Sequence, residues 1–217
     1  MVSVGRTSEQ QLLLGEWACL GILYPAPTHG FAIAARLKPT GDVGRVWSLS
    51  RALTYRSLEQ LAIRGHIHPV GEEPGIAGGN RTILAPTRTG RAQLRKWLTT
   101  PVIHLRDLRS ELLLKLIIAD ICAVDITTML ELQRAHITQL AESITEQIRT
   151  GPHDVVALWR SESSNAALRF LDGVARVQVF NGFVRSSGEE PSARIPRMHA
   201  GRRHGGLGGR GEGGGAS

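Results

Sequence analysis

The pattern of apolar and polar positions predicts one short helix more clearly than any other element. In segment 47–67, Leu58 and Leu61 share one face at helical spacing, and the charged residues fall mainly on other faces. Ser50 is a favoured N-cap residue, and Gly65 is a favoured residue directly after a helix. Two interpretations stay open for this helix. It is either an ordinary amphipathic surface helix or a helix that enters a DNA major groove.

The segments before this helix predict two further helices, and the segment after it predicts a β-hairpin. Ser8–Gln11 resembles a capping box that opens a first helix, and Pro25–Pro27 stops it. A second helix is expected to begin at Thr28 or His29. The later elements are a strand at about 66–70, a Gly/Pro/Glu-rich loop at 71–79, a strand at about 81–85, and a helix that follows Thr87 and ends before Pro101. This order is typical of a winged helix-turn-helix, which we assign to residues 8–101.

The second half of the chain predicts long helices. Leu105–Ala123 is nearly apolar at its centre, Asp125 can cap a long helix, and a last helix is expected from about Asp154 to Val184. The middle helix carries an apolar stripe: Ile126, Leu130, Ile137, Leu140, Ile144 and Ile148. Two such helices cannot bury their stripes alone, so residues 105–185 predict a homodimer, with an intramolecular bundle as the alternative. The fold class is therefore mainly α.

Charge is distributed unevenly along the chain. Residues 1–100 carry 12 Lys and Arg against 6 Asp and Glu, whereas residues 101–185 carry 9 against 10. The excess therefore accompanies the candidate recognition helix, as a polyanionic partner would require. Charge alone does not separate DNA from RNA or from an acidic membrane surface. Residues 186–217 are rich in Gly and Arg and poor in apolar residues, which predicts a disordered tail.

Several functional classes are disfavoured by the sequence. There is no run of 18 apolar residues and no signal-peptide pattern, so we expect a cytoplasmic protein without a membrane span. Cys19 and Cys122 lie in apolar surroundings and predict buried reduced thiols. The sequence has no phosphate-binding loop between strand and helix, no nucleophile elbow and no His-Glu-x-x-His motif. We therefore expect neither an enzyme nor a bound cofactor or metal.

Four stretches together resemble the PadR family of bacterial transcriptional regulators. They are Leu20–Leu23 with Pro27–Phe31, Trp47–Arg51 with Tyr55, Leu58–Leu61 with Gly65–Ile67, and Arg81 followed by Thr87–Gly90. The resemblance covers about residues 12–121, and its specificity lies in the order and spacing of the four stretches. It implies a dimeric winged-helix repressor whose C-terminal helices form the dimer. Such helices often respond to small, frequently aromatic molecules.

The recognition helix departs from the family pattern. Where the family usually has Gly-Thr-Leu-Tyr-Pro, this chain has the segment Ala52–Arg56. The exchange leaves Thr54 at a usual core position and Leu53 where a DNA-facing residue is common, which puts the operator and the rotation of the helix in question. In the wing return, Pro86 cannot donate a ladder hydrogen bond, so the second strand is expected to end early.

Seven side chains are predicted to contact DNA. Arginine can reach a guanine edge with two hydrogen bonds, whereas Ser and Tyr more often hold phosphates. The two residues at the wing are expected to touch the backbone or the minor groove. The full set is Ser50, Arg51, Leu53, Tyr55, Arg56, Arg81 and Thr82.

Two other features have competing interpretations. His66 and His68 fall on one face of a strand, as a metal pair would, but the absence of a neighbouring carboxylate or thiol favours a surface role at the wing edge. Trp159 could stack on an aromatic effector, although a tryptophan on an apolar stripe is more often part of a core or an interface.

The sequence therefore predicts a sequence-specific transcriptional regulator. It is expected to bind double-stranded DNA and to act as a dimeric repressor. Whether a small aromatic effector releases it is left open. The alternative is an architectural or RNA-associated protein that binds nucleic acid without sequence choice. An adaptor that has lost DNA binding is disfavoured by the basic first hundred residues.

Overall fold

The computed structural model describes residues 11–75, 79–151 and 154–187, with side chains described as far as residue 176. The elements of the first half are α1 (Leu14–Leu23), β1 (Thr28–His29), α2 (Gly30–Arg36), α3 (Arg51–Ile63), β2 (Ile67–Pro74), β3 (Asn80–Pro86) and α4 (Arg88–Leu98). A short 3-10 turn (Leu105–Asp107) and a π-helical turn (Leu108–Leu112) follow, and then α5 (Leu113–Cys122), α6 (Thr127–Thr150) and α7 (Val155–Ser187). The winged helix-turn-helix and the mainly helical class are confirmed.

The ends of α3 follow from two residues. The Ser50 hydroxyl oxygen accepts a hydrogen bond from the backbone N–H of Leu53 at 3.2 Å, which satisfies one free donor of the first turn. Gly65, two residues past the last helical residue, has φ of 69°, a conformation that side chains disfavour. The predicted helix is therefore confirmed at both ends.

The sheet has three antiparallel strands in the order β1-β3-β2, one strand more than the sequence predicted. In the missed strand, Thr28 pairs with Leu84 and His29 pairs with Ile83. A strand of two residues has too little pattern to be recognised, and its partner lies more than fifty positions away.

The wing is longer than predicted. β2 continues to Pro74 through residues assigned to the loop, and β3 continues to Pro86 instead of ending early. Pro86 pairs with Ile67 because a terminal strand residue can accept a hydrogen bond without donating one. Both prolines of β2 are tolerated because β2 is an edge strand of the described sheet.

Two of the first-half helices differ from expectation at their starts. The capping box predicted at Ser8–Gln11 lies mostly outside the described residues, and α1 begins only at Leu14. There the Glu16 carboxylate accepts a hydrogen bond from the Leu13 N–H at 2.8 Å. In α2, the Nδ1 atom of His29 accepts from the Ala32 N–H at 3.0 Å and so caps the helix. Histidine is an uncommon N-cap residue, but its ring nitrogen performs the same role here.

One core runs through both halves of the described chain. Its centre is α1, whose Ala18, Cys19, Leu20 and Leu23 are completely buried. A side-chain carbon added at Gly21 would lie only 2.5 Å from Cγ2 of Ile118, so α1 and α5 approach each other closely at this point. The core continues into α6 through Ile126, Met129 and Ile137.

Buried polar groups fix the segment between α4 and α5. The amide of Gln133 hydrogen-bonds both the N–H and the carbonyl of Val102, at 2.6 and 2.9 Å. The ammonium of Lys115 donates to the carbonyl of Thr100 at 2.6 Å and lies 3.0 Å from the Glu111 carboxylate. Because each of these buried groups has partners, the segment is held without a cost in unsatisfied polarity.

The apolar stripe of α6 is only partly as predicted. Ile126, Ile137 and Ile144 are buried, but Leu130, Leu140 and Ile148 are half-buried. Met129 and Gln133 are buried in addition, because the side of α6 that meets the core follows the 3.6-residue period more closely than the seven-residue one.

The cysteine thiols are free, and Cys19 is buried while Cys122 is half-buried. Burial is the main cause that raises the pKa of each thiol to about 12. Both are therefore protonated at neutral pH and are weak nucleophiles.

Among the described residues, no helix is long and apolar enough to cross a membrane. The tail predicted to be disordered lies almost entirely outside the described residues, so that expectation and the proposed domain limits stay predictions.

Candidate nucleic-acid interface

The packing of α3 decides which of its side chains face solvent. Leu58, Leu61 and Thr54 are buried against the core, and the Thr54 hydroxyl donates to the carbonyl of Ser50 at 3.0 Å. Thr54 thus lies at the core position that the sequence implied, while Leu53 is exposed. The helix therefore turns Thr54 toward the core and Leu53 toward solvent.

The outward face of α3 carries most of the predicted contact residues. Ser50, Arg51, Leu53, Tyr55 and Arg56 are all exposed. Ser50 also caps the helix, and its hydroxyl hydrogen is free for a second partner because the oxygen only accepts in the cap. The helix N-terminus adds a partial positive charge on the same side. This face is suited to an anionic partner.

The wing places the other two predicted residues opposite two carboxylates. Arg81 is half-buried and lies across the hairpin from Glu73, and Thr82 is exposed and lies across from Glu72. The Glu72 carboxylate accepts a hydrogen bond from the Asn80 amide at 2.8 Å. The wing therefore presents mixed charge, whereas α3 presents positive charge near its start.

Phe31 also belongs to this interface, although the sequence did not predict it. It lies in the first turn of α2, it is 47% exposed, and the guanidinium carbons of Arg51 and Arg81 lie 5.7 and 5.4 Å from the centre of its ring. Arg51 is also 5.7 Å from the centre of the Tyr55 ring. The signal was an aromatic residue in the predicted second helix that the core does not use. We define the basic surface as Phe31, Arg51, Tyr55, Arg56 and Arg81.

His29 connects the base of the wing to this surface. Its Nε2 atom lies 3.0 Å from the Glu73 carboxylate and 3.5 Å from a guanidinium nitrogen of Arg81. Because Nδ1 accepts from Ala32, the ring proton is on Nε2 and is donated to Glu73. Nε2 cannot then accept from Arg81, so the histidine holds the carboxylate and leaves the guanidinium available.

A separate cleft of about 800 Å³ opens beside α4. On its wall, the rings of Trp17 and Trp97 stack at 4.9 Å, with an angle of 8° between their planes. The indole N–H of Trp97 donates to Glu111 at 3.1 Å, and the Lys115 ammonium lies 5.1 Å from the centre of the Trp97 ring. The cleft thus combines aromatic faces with charged groups.

His66 also lines this cleft, and its Nδ1 atom is buried without a hydrogen-bond partner. Burial is the main cause that lowers the pKa of His66, and Arg64 acts in the same direction, so the ring is neutral at pH 7. His68 is exposed, and the described residues contain no group of three side chains able to hold a metal ion.

Trp159, the residue predicted to stack on an effector, does not line the cleft. Its side chain is 72% exposed at the start of α7, and Val155 and Leu158 beside it are 78% and 60% exposed. A role for Trp159 in effector binding stays a prediction.

No family model matches the sequence, and no curated protein sequence matches it. The chain is similar to the structure of Bacillus subtilis PadR in complex with operator DNA, with 16% identity and a TM-score of 0.37, over 75% of this chain and 97% of that one. It is also similar to the same PadR in complex with p-coumaric acid, with 16% identity and a TM-score of 0.35, over 77% and 96%.

A third similar structure is a PadR-like transcriptional regulator from Bacillus cereus, with 21% identity and a TM-score of 0.35, over 76% of this chain and 96% of that one. These are structures of the family that the sequence motifs resemble. At such identities and scores they assign no function to this chain, which has to be inferred from its own geometry.

Proposed function

We propose that the protein is a sequence-specific DNA-binding transcriptional regulator that acts as a dimeric repressor. The observation that carries this proposal is the outward face of α3, which presents Ser50, Arg51, Tyr55 and Arg56 beside Arg81 of the wing. A helix of this kind next to a wing can place arginine at base edges while neighbouring groups hold phosphates. The basic balance of residues 1–100 supports the same partner.

A dimer is part of the proposal because no described residue covers the apolar start of α7. We define this patch as Val155, Val156, Leu158 and Trp159, all of which are at least 60% exposed. Four large apolar side chains within five positions form a surface that a second copy would bury. Two copies related by a twofold axis would place two α3 helices on a palindromic target, as repressors of this kind require.

The test begins with enrichment of a random duplex pool on the full-length protein. The enriched duplex is then compared with a scrambled duplex of the same composition at several salt concentrations. We expect binding to the enriched duplex to be roughly a thousandfold tighter or more, with a negative slope of log affinity against log salt. Equal affinities for the two duplexes would overturn the proposal and favour binding without sequence choice.

We further propose that the cleft beside α4 takes a small aromatic effector. The stacked Trp17 and Trp97 line the cleft with aromatic surface, and the Nδ1 of His66, which has no hydrogen-bond partner, supplies a polar group. Because His66 directly precedes β2, a ligand in the cleft would touch the base of the wing. Such contact gives effector binding a route to the DNA-facing elements.

p-Coumaric acid, the compound bound in one of the similar PadR structures, is the first probe. We expect it to quench tryptophan fluorescence and to release the enriched duplex. Trp159→Phe separates the two candidate positions, because it should leave quenching by a ligand in the cleft intact and should abolish quenching at Trp159. If neither the wild type nor this variant responds to the compound or to related aromatic acids, the effector proposal fails and the DNA-binding proposal is untouched.

A further inference from the structure

Phe31 occupies a position on the DNA-facing side that no contact within the core explains. It is the second residue of α2 and is nearly half exposed, although large apolar side chains in a helix usually turn toward the core. Its backbone is fixed on the N-terminal side, because His29 caps α2 and pairs with Ile83 of β3. The ring is therefore presented to solvent from a rigid attachment.

Two cations from different elements lie over this ring. Cζ of Arg51, the first residue of α3, is 5.7 Å from the ring centre, and Cζ of Arg81 in β3 is 5.4 Å from it. Both distances are within the range of about 6 Å in which a guanidinium is attracted to an aromatic face. Phe31 is thus the ring that α3 and the wing share.

Neither arginine has an ion-pair partner among the described residues. His29 does not hold Arg81 by a good hydrogen bond, since its Nε2 proton is directed to Glu73. The aromatic contacts are therefore the interactions that orient these two guanidinium groups. Long arginine side chains otherwise lose substantial conformational entropy when they bind.

On these grounds, and resting on the function proposed above, we propose that Phe31 is a positioning residue for DNA recognition. Its ring holds Arg51 of the recognition helix and Arg81 of the wing in place before DNA arrives, so that both elements engage the duplex together. Tyr55 supports the arrangement, because its ring is 5.7 Å from the same Arg51 and packs directly on the backbone of Gly30. A side-chain carbon at Gly30 would come within 2.9 Å of the Tyr55 ring.

The test is a double-mutant cycle in the full-length protein with the enriched duplex at low salt. Its members are the wild type, Phe31→Leu, Arg51→Ala with Arg81→Ala, and the triple variant. Leucine keeps an apolar side chain but lacks the aromatic face. We expect Phe31→Leu to weaken binding by roughly twofold to fivefold for each arginine released, and by less than twofold when both arginines are absent.

Two further variants separate positioning from a general effect on the fold. Phe31→Tyr keeps the aromatic face and should bind as the wild type does. Phe170→Leu is the matched control, since Phe170 is 41% exposed on α7 and no described cation lies over its ring. The affinity of this variant for DNA should equal that of the wild type.

The same fold-loss from Phe31→Leu with and without the arginines would overturn the proposal, because the ring would then act on DNA or on the fold independently of them. An unchanged affinity of Phe31→Leu would overturn it as well. Failure of the underlying function is distinguishable, since the wild-type protein would then bind enriched and scrambled duplexes equally.

Discussion

Two surfaces of this chain expose aromatic and apolar side chains, and their surroundings differ. On the basic surface, Phe31 and Tyr55 are accompanied by arginines that lie over their rings. At the apolar start of α7, Trp159 is more exposed than either ring and has no described cation over it. Exposure alone is therefore a poor guide to the partner that a surface takes.

The neighbours of an exposed ring are the better guide. A ring beneath unpaired guanidinium groups helps to present positive charge, which suits phosphate and base edges. A ring among valine and leucine adds only apolar area, which becomes favourable when a second apolar surface removes it from water. This difference supports the proposed nucleic-acid partner for the first surface and the proposed second copy of the chain for the second.

The largest effect is expected from a substitution at the apolar start of α7. Trp159→Glu should raise the dissociation constant of the proposed dimer by about a hundredfold or more. Burial of a large apolar side chain is worth about 1.5–3 kcal/mol, and a buried unpaired carboxylate adds a further cost. Sedimentation of the full-length protein over a range of concentrations measures the change.

Ile63→Glu is the control for this comparison, because Ile63 is 71% exposed but belongs to α3. Dimerisation should not change in this variant, and circular dichroism should show that both variants stay folded. A dimer that is weakened equally by the two substitutions would mean that the surfaces are not distinct.

A smaller effect separates residues of the basic surface that recognise bases from residues that bind phosphates. Arg51→Ala should lose roughly 1–3 kcal/mol on the enriched duplex and relax the preference at one base position. Arg56→Ala should weaken binding to enriched and scrambled duplexes alike, and should lower the salt slope by about one unit.

Electrophoretic mobility or fluorescence anisotropy titrations at several salt concentrations distinguish these outcomes. If both variants bind both duplexes as the parent does, α3 is not the reading element, and binding without sequence choice becomes the better account.

The smallest effect concerns a charge pair at the end of α2 that contributes to the fold instead of to a partner. Asp42 accepts hydrogen bonds from Arg36 at 2.5 and 3.1 Å, and this is the main cause that lowers the pKa of Asp42 below its usual value. The pair is partly exposed, so Asp42→Asn should cost at most about 1 kcal/mol of unfolding free energy.

The pH dependence of this cost has a definite sign. A carboxylate with a lowered folded pKa stabilises the fold above its unfolded pKa, which is near 3.8, and the contribution is lost as the pH falls through the folded value. Urea unfolding of the two proteins should therefore differ by a constant amount above about pH 5 and converge below pH 3.8. A difference that persists at lower pH would mean that Asp42 acts through another contact.

The sequence was sufficient where local chemistry decides the structure. Ser50 and Thr87 indicate the starts of α3 and α4, because each hydroxyl oxygen accepts a hydrogen bond from a backbone N–H only three residues away. Gly65 indicates the end of α3, because the positive φ required there concerns only its own backbone. The outward side of α3 could also be predicted, since burial of Leu58 and Leu61 leaves Arg51 and Arg56 on other faces.

The sequence was insufficient where distant residues decide the structure. β1 exists through pairing with Ile83 and Leu84, and no periodicity in two residues reports it. Phe31 joined the candidate interface only because Arg81 comes to its ring from fifty positions away. The stack of Trp17 on Trp97 has the same origin, so the cleft could not be foreseen either.

The close approach of α1 and α5 has a consequence for tracing the ancestry of this chain. A side-chain carbon at Gly21 would collide with the side chain of Ile118, so replacement of Gly21 by alanine would require Ile118 to shift or to be replaced by a smaller residue. Substitutions at the two positions should therefore be coupled among homologues, with the combined volume of the pair kept nearly constant. An alignment of homologues would test this coupling, and the pair would give such an alignment a physical anchor inside the core.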